Sequence, residues 1–115
     1  MSQILGFQKR KFIFLSIGII EKQMIGVVIK NLIELIGMTP ARTGRIDEYP
    51  YLGGGGEGYT GFFPLMESYV IVDTYIELNQ TEILLSTCKP DRMSISTIIE
   101  FLDKAVGPTS CVGTL

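Results

Sequence analysis

The sequence predicts an α/β protein of the α+β type: a two-layer sandwich with two helices on one face of a mostly antiparallel four-stranded sheet. Short apolar runs of strand length, rich in Phe, Ile and Val, indicate the strands. Two longer segments repeat their apolar residues at helical spacing. Three of the strands follow one another with no helix between them, which favours antiparallel pairing. The order is β-α-β-β-β-α, and 115 residues fit one domain spanning residues 1–115.

The first strand and helix are predicted at residues 11–20 and 21–38. The first segment is rich in Phe and Ile and is too short for most helices. The second carries apolar residues on one side and charged or amide residues on the other. Gly37 and Pro40 are suitable stop signals for this helix.

The middle of the chain is predicted to be a polar connection and a glycine-rich loop. Residues 39–50 are mostly polar and contain a short candidate strand near residues 41–46. Five of the six residues from Gly53 to Gly58 are glycine, which predicts a loop because regular structure there would cost much backbone entropy. No Gly-Lys-Ser/Thr follows, so the run does not indicate a phosphate-binding loop.

Three strands are predicted at residues 59–65, 69–78 and 81–88, the last two joined as a hairpin through Asn79-Gln80. Because these strands are adjacent in sequence, they form the predicted antiparallel part of the sheet. The face that the helices leave uncovered is expected to be open to a second subunit.

The second helix is predicted to begin at a cap supplied by Asp91 or Ser94 and to run to about residue 106. Gly107 and Pro108 end it, and residues 109–115 can add a short last strand.

Composition favours a soluble, cytoplasmic homodimer. Hydrophobic residues make up 46% of the chain and mean hydropathy is +0.33. The longest clean apolar run, residues 12–20, is shorter than the roughly 20 residues that span a bilayer. We therefore expect the apolar surplus to be buried between subunits. The net charge of −2, with both signs interspersed, argues against nucleic acid as a partner.

The chain contains no histidine, which excludes His-based triads and His-ligated metal sites. Its two cysteines, Cys88 and Cys111, are far apart in sequence and are expected to be reduced thiols, so no metal site is predicted. Chemistry must therefore rest on carboxylates, hydroxyls, a thiol, or a group made from them.

Residues 58–77, which read Gly-Tyr-Thr-Gly-Phe-Phe-Pro-Leu-Met-Glu-Ser-Tyr-Val-Ile-Val-Asp-Thr-Tyr-Ile-Glu, resemble the core of the prokaryotic S-adenosylmethionine decarboxylases. In that family a Glu-Ser pair precedes a short β segment, and a second strand ends in Thr-Cys before a helix. Here Glu67-Ser68 supplies the pair and Thr87-Cys88 ends the second strand at the family's spacing. The resemblance is best from residue 58 to about residue 106.

The resemblance implies self-cleavage between Glu67 and Ser68. The serine hydroxyl would attack the preceding carbonyl, and elimination from the resulting ester would leave fragments 1–67 and 68–115. The second fragment would carry a pyruvoyl group derived from Ser68, whose ketone provides an electron sink for decarboxylation of a small-molecule amine substrate.

Further roles follow from the same resemblance. Thr60 would assist processing by donating to the oxyanion, although threonine is also common in strands. Cys88 would be the general acid that reprotonates the substrate carbon, or simply a small buried side chain. Glu77 would accept hydrogen bonds from the substrate ribose, or be a solvated hairpin residue. Glu67 is carried over only as the residue before the cut.

Asp73 departs from the family, which has a processing histidine at this position. Aspartate has a reference pKa of about 3.9 against about 6.5 for histidine, so it is the weaker base. Either Asp73 acts slowly or processing has stopped. A carboxylate here would also favour a cationic substrate group. Strand alternation places Ser68 and Asp73 on opposite faces, so they share a site only if a bulge or turn intervenes.

Three functions remain open. The first is a pyruvoyl-dependent S-adenosylmethionine decarboxylase of polyamine biosynthesis. The second is a pyruvoyl-dependent arginine or ornithine decarboxylase on the same fold. The third is an unprocessed, non-catalytic homologue that binds a partner subunit or a nucleoside-like ligand.

Overall fold

Six strands and two α-helices form the part of the chain that the computed structural model describes, which comprises residues 10–50, 57–66, 68–87 and 94–114. In chain order they are β1 (Arg10–Ile17), α1 (Lys22–Leu35), β2 (Arg45–Pro50), β3 (Glu57–Leu65), β4 (Ser68–Tyr75), β5 (Gln80–Thr87), α2 (Ile95–Ala105) and β6 (Thr109–Thr114). The two-layer α+β architecture predicted from the sequence is confirmed.

The strands form one antiparallel sheet in the order β2-β3-β4-β5-β1-β6. The sheet has six strands rather than the predicted four, because both segments that the sequence offered as short additional strands form its edges. The one predicted at residues 109–115 is β6, and the one predicted near residues 41–46 lies further along the chain, as β2. Each of these edge strands is six residues long and places few side chains over the core. Among the described side chains of β2, Ile46 alone packs against the core cluster, so apolar alternation gives only a weak signal for the bounds of this strand.

The core lies between the helices and one face of the sheet, which we call the core face. The buried side chains come from alternate positions of the strands and from one side of each helix, and all are at most 5% exposed: Phe12, Phe14, Val70, Val72, Ile83 and Leu85 from the sheet, and Ile25, Ile29, Leu32, Ile98 and Leu102 from the helices. Both helices therefore pack on the same face, as predicted.

Glycines with positive φ end β1 and α1 earlier than predicted. Gly18 has φ of 120° and donates from its backbone N–H to the carbonyl of Asn79 at 2.7 Å, which ends β1 at Ile17. Gly37 has φ of 71° and follows the last turn of α1, where Met38 N–H bonds to the carbonyl of Ile33 at 3.1 Å. This 6→1 bond is the closing bond of a Schellman-type helix end.

Two other predicted boundaries shift. β4 ends at Tyr75, three residues earlier than predicted, because Ile76–Leu78 form a 3₁₀ turn that reverses the chain through Asn79 at φ of 51°. The glycine run lies mostly outside the described residues, but its last two residues, Glu57 and Gly58, already belong to β3.

The second helix begins as predicted at a serine cap. The Ser94 hydroxyl accepts a hydrogen bond from the backbone N–H of Thr97 at 3.3 Å. The alternative cap, Asp91, lies outside the described residues. Within the described part of the chain, neither helix has the length and hydrophobicity required to cross a membrane.

Candidate functional site

The β3–β4 hairpin carries most of the residues that the sequence marks as functional. Leu65 at the end of β3 is paired with Ser68 at the start of β4, so the two strands are separated by two residues in the sequence. Pairing then continues without interruption to Thr60 opposite Asp73. No bulge interrupts β4 in its described pairing with either β3 or β5.

Ser68 is the first residue of β4 and lies on the core face, where it is 7% exposed. Its Oγ atom is buried and has no hydrogen-bond partner among the described residues. Leaving a buried hydroxyl unsatisfied costs about 1–3 kcal/mol, so native proteins keep few such groups and each calls for an explanation.

Thr60 and Asp73 are brought together on the opposite face, which we call the open face because neither helix covers it. They are direct cross-strand partners, and the Thr60 hydroxyl donates to Oδ1 of Asp73 at 2.7 Å. Both side chains are half-buried. This hydrogen bond fixes the orientation of the Asp73 carboxylate.

Ser68 and Asp73 are not brought together. They are five residues apart on a continuous strand, a separation of about 17 Å at about 3.3 Å per residue, and they lie on opposite faces of the sheet. The alternation expected from the sequence therefore holds, and no bulge or turn cancels it. In this arrangement Asp73 cannot take a proton from residue 68.

Of the remaining predicted site residues, Glu77 lies within the described part of the chain. Glu77 is exposed in the 3₁₀ turn after β4, at the Asp73 end of the strand. Glu67 and Cys88 lie outside the described residues. The last described residue before Cys88, Thr87, ends β5 at the Ser68 end of β4, since Tyr69 is paired with Ser86.

Sequence reasoning missed a set of carboxylates that the sheet aligns on the open face. The strand registers place Asp47 opposite Thr60, Thr60 opposite Asp73, and Asp73 opposite Glu82. We call Asp47, Asp73 and Glu82 the acidic row. At one end of the acidic row Asp47 is paired with a positive charge, since the Nε atom of Arg45 lies 3.1 Å from its Oδ1 atom. Only the register aligns these residues, so no local sequence pattern could reveal the row.

One carboxyl of the acidic row, that of Glu82, has a raised pKa. Partial burial raises the pKa of Glu82 above its ordinary value, and the negative charge of Asp73 raises it further. Such a surface favours cationic groups. Among the described residues, no three potential ligands are grouped closely enough to hold a metal ion.

Two further buried polar atoms have no described hydrogen-bond partner. Tyr59 is 5% exposed on the core face, and its Oη is unsatisfied. Burial, with a smaller effect from the charge of Glu21, raises the pKa of Tyr59 to about 12. Ser86 has a buried, unsatisfied Oγ in β5 and provides a natural comparison for Ser68.

The fold is similar to a solved structure, the crystal structure of the adenosylmethionine decarboxylase from Aquifex aeolicus VF5. The TM-score is 0.65, and the match covers 95% of this chain and 89% of that chain. Sequence identity over the match is 13%, so the likeness is one of fold. No protein-family model matches the sequence, and no curated protein matches it either.

Proposed function

We propose that this chain is a pyruvoyl-dependent decarboxylase of S-adenosylmethionine that forms by cleavage between Glu67 and Ser68. The observation that carries the proposal is the Ser68 hydroxyl, which is buried and unpartnered directly after the β3–β4 turn. The likeness to an adenosylmethionine decarboxylase fold supports it, as does the spacing of Thr60, Ser68 and Cys88 in the sequence.

The proposed cleavage uses only the chain's own atoms and water. Ser68 Oγ attacks the carbonyl carbon of residue 67, the peptide C–N bond breaks, and the amide becomes an ester with a free amine on residue 68. Loss of the Cα proton of residue 68 then breaks its Cβ–Oγ bond, which releases residue 67 as a carboxylate and leaves dehydroalanine. Water adds and ammonia leaves, which produces the pyruvoyl group. Burial at Ser68 favours this path because it limits hydrolysis of the ester by bulk water.

The residues suit formation of a pyruvoyl group at Ser68 but not at Asp73. Ser68 offers the free hydroxyl that the first step needs. Asp73, at the position of the family histidine, is held by Thr60 on the far face and does not reach the Cα proton. Once formed, a pyruvoyl group supplies an electron sink for loss of CO₂. Cys88 keeps its proposed role as the acid that returns a proton to the substrate carbon.

The second candidate is an unprocessed homologue, and the position of Asp73 is the observation that favours it. Elimination stalls if no base removes the Cα proton of residue 68. The intact chain would then bind a partner subunit or a nucleoside-like ligand without catalysis.

A third candidate is decarboxylation of arginine or ornithine on the same fold. The acidic row suits a cationic group, but it lies on the face opposite Ser68 and does not bear on which substrate a group at residue 68 would take. Measuring CO₂ release from S-adenosylmethionine, arginine and ornithine distinguishes the substrates.

The deciding experiment is the intact mass of the purified chain under denaturing conditions. We expect two fragments, residues 1–67 and residues 68–115, the second lighter by one ammonia than a fragment with an unmodified N-terminal serine. Ser68→Ala should remain a single species of 12.7 kDa. Ser86→Ala removes the other unpartnered serine hydroxyl and should cut like the wild type. A wild type that stays intact after prolonged incubation would rule out both decarboxylases and leave the binding protein.

A second variant tests the geometry around Asp73. If the described register persists, Asp73→His should cut no faster than the wild type, because position 73 faces away from Ser68. Faster cutting would mean that position 73 reaches the cleavage site in the reacting chain. The time course of fragment formation by mass spectrometry measures the rate.

We further propose that the protein acts in the cytoplasm as a homodimer formed through the open face. Apolar side chains continue across this face from β3 to β1, and Phe62 is 43% exposed there. Phe62→Lys should yield monomers in sedimentation at micromolar concentration. Leu78→Lys alters a side chain that is 64% exposed in the 3₁₀ turn and should leave the dimer intact. A monomeric wild type would contradict the proposal.

A further inference from the structure

A cavity of about 330 Å³ lies on the helix side of the sheet, between α1, the segment that follows it, and the end of β3. Its volume is within the range of pockets that hold small molecules, about 300–1,000 Å³. Neither the Ser68 hydroxyl nor the acidic row lines it.

The cavity combines an apolar interior with two cations. Ile33, Ile46 and Phe63 supply apolar walls. Lys30 from α1 and Arg42 from the following segment are exposed and also line it, whereas no carboxylate among the described residues does. Neither cation forms an ion pair within the described part of the chain, where the two salt bridges engage Lys22 and Arg45 instead.

Two glycines shape the cavity. Gly26 lies in the middle of α1, where glycine costs about 1 kcal/mol relative to alanine, and a Cβ atom there would meet no atom within 4 Å. The missing side chain therefore leaves space open at the cavity wall. At Gly44 a Cβ atom would come within 2.2 Å of the Phe63 ring, so the ring packs directly on the backbone.

The segment that carries Arg42 is attached to the sheet. The backbone N–H of Ala41 donates to the carbonyl of Pro64 at 3.0 Å, and Met66 N–H donates to the carbonyl of Thr39 at 2.9 Å. Pro40 also forms an isolated antiparallel bridge with Leu65. The rim of the cavity is therefore preformed, which lowers the entropic cost of binding.

We propose that this cavity is a binding site for a small anion that joins an oxyanion head, a carboxylate or a phosphate, to an apolar body. The Arg42 guanidinium presents a fork that matches two oxygens of either head group. Lys30 adds a second positive charge, and the body enters the space beside Gly26 and contacts Phe63. The site lies on the opposite side of the sheet from the open face, and it does not depend on cleavage at Ser68.

The test compares three ligands that share one body: phenylpropionate, phenylpropyl phosphate and phenylpropanol. Amide NMR of the full chain follows each titration. We expect the largest shifts at Gly26, Thr43 and Gly44, and we expect the anions to bind at least about fivefold more tightly than the alcohol, the scale of exposed charge pairing. The order of the two anions identifies the preferred head group. Equal affinity for the alcohol, or shifts centred elsewhere, would overturn the proposal.

Substitutions distinguish the contribution of the two cations to binding from that of the cavity space. The double variant Lys30→Gln with Arg42→Gln should lower the affinity for the two anions to that for the alcohol. It should leave the affinity for the alcohol unchanged. Gly26→Leu should fill the space and weaken all three ligands by at least about tenfold. Its thermal midpoint should not fall, because leucine is the better helix former. Arg45→Gln removes an arginine that pairs with Asp47 on the open face and should change nothing. Undiminished binding by folded Gly26→Leu would refute the site.

Discussion

Replacing Glu82 with glutamine is expected to raise the free energy of unfolding at neutral pH. Glu82 is the direct cross-strand partner of Asp73, so two like charges face each other on the open face. Partial burial and then the charge of Asp73 raise the pKa of Glu82 in the folded chain. Glutamine keeps the size and hydrogen-bonding capacity of the side chain but removes the charge.

The magnitude follows from the cross-strand geometry. Cβ atoms of directly opposed residues lie about 4.5–5.5 Å apart, so we place the two carboxylates about 6 Å apart. At that distance Coulomb repulsion is about 0.7 kcal/mol in water and about 2.8 kcal/mol at an effective dielectric constant of about 20. Glu82 is only partly buried, and solvent screening favours the lower part of this range. We expect a gain of about 0.5–1 kcal/mol, the scale of exposed charge pairs.

The sign of the pH dependence follows from the raised pKa. Above the ordinary pKa of 4.5 the folded chain holds a proton on Glu82 that the unfolded chain has released. The wild type therefore loses stability as pH rises from that value through the raised pKa, whereas Glu82→Gln does not. Urea unfolding should show the full gain at about pH 7 and almost none at about pH 3.5, where Glu82 is largely protonated in both the folded and the unfolded chain.

Two controls make this prediction refutable. Salt near 1 M should shrink the gain, because the Debye length is then about 3 Å. Glu100→Gln, on the exposed side of α2, should leave stability within about 0.5 kcal/mol of the wild type. A Glu82→Gln variant that is no more stable at neutral pH, or equally stabilised at both pH values, would refute the role of charge.

Three other substitutions test the fold by urea unfolding of the intact chain. Thr60→Val removes the donor to Asp73 and should cost about 0.5–1.5 kcal/mol; no loss would mean that this hydrogen bond contributes nothing to stability. Gly37→Ala forces a Cβ into the φ of 71° that ends α1 and should cost about 1–2 kcal/mol, and an unchanged midpoint would contradict that helix end. Leu102→Ala truncates a fully buried side chain of α2 and should lower the free energy of unfolding by about 2–5 kcal/mol. A loss under about 1 kcal/mol would mean that this helix does not pack on the core as described.

The helices and the central strands could be predicted because their apolar residues repeat locally. Each of α1 and α2 buries one stripe against the sheet, so helical spacing appears in the sequence. β4 alternates buried and partly buried residues along its whole length. The edge strand β2 has a weaker pattern because, among its described side chains, Ile46 alone packs against the core.

The candidate site could be predicted only in part. Alternation alone placed Ser68 and Asp73 on opposite faces, and the described pairing retains that arrangement. Spacing along the chain could not show that the Ser68 hydroxyl lacks a partner, because that depends on every group packed around it. The Thr60–Asp73 hydrogen bond likewise required the register of two strands.

By itself, the sequence determined the two helices, the four central strands and the side chains that they bury, because those choices depend on neighbours a few positions away. The absence of histidine, also a property of the sequence alone, limited the chemistry to hydroxyls, carboxylates and thiols. Only the tertiary structure decided that Asp47, Asp73 and Glu82 lie in one row, and that Lys30 and Arg42 share a cavity. Both arrangements join residues distant in the chain, so they exist only once strand register and helix packing are set.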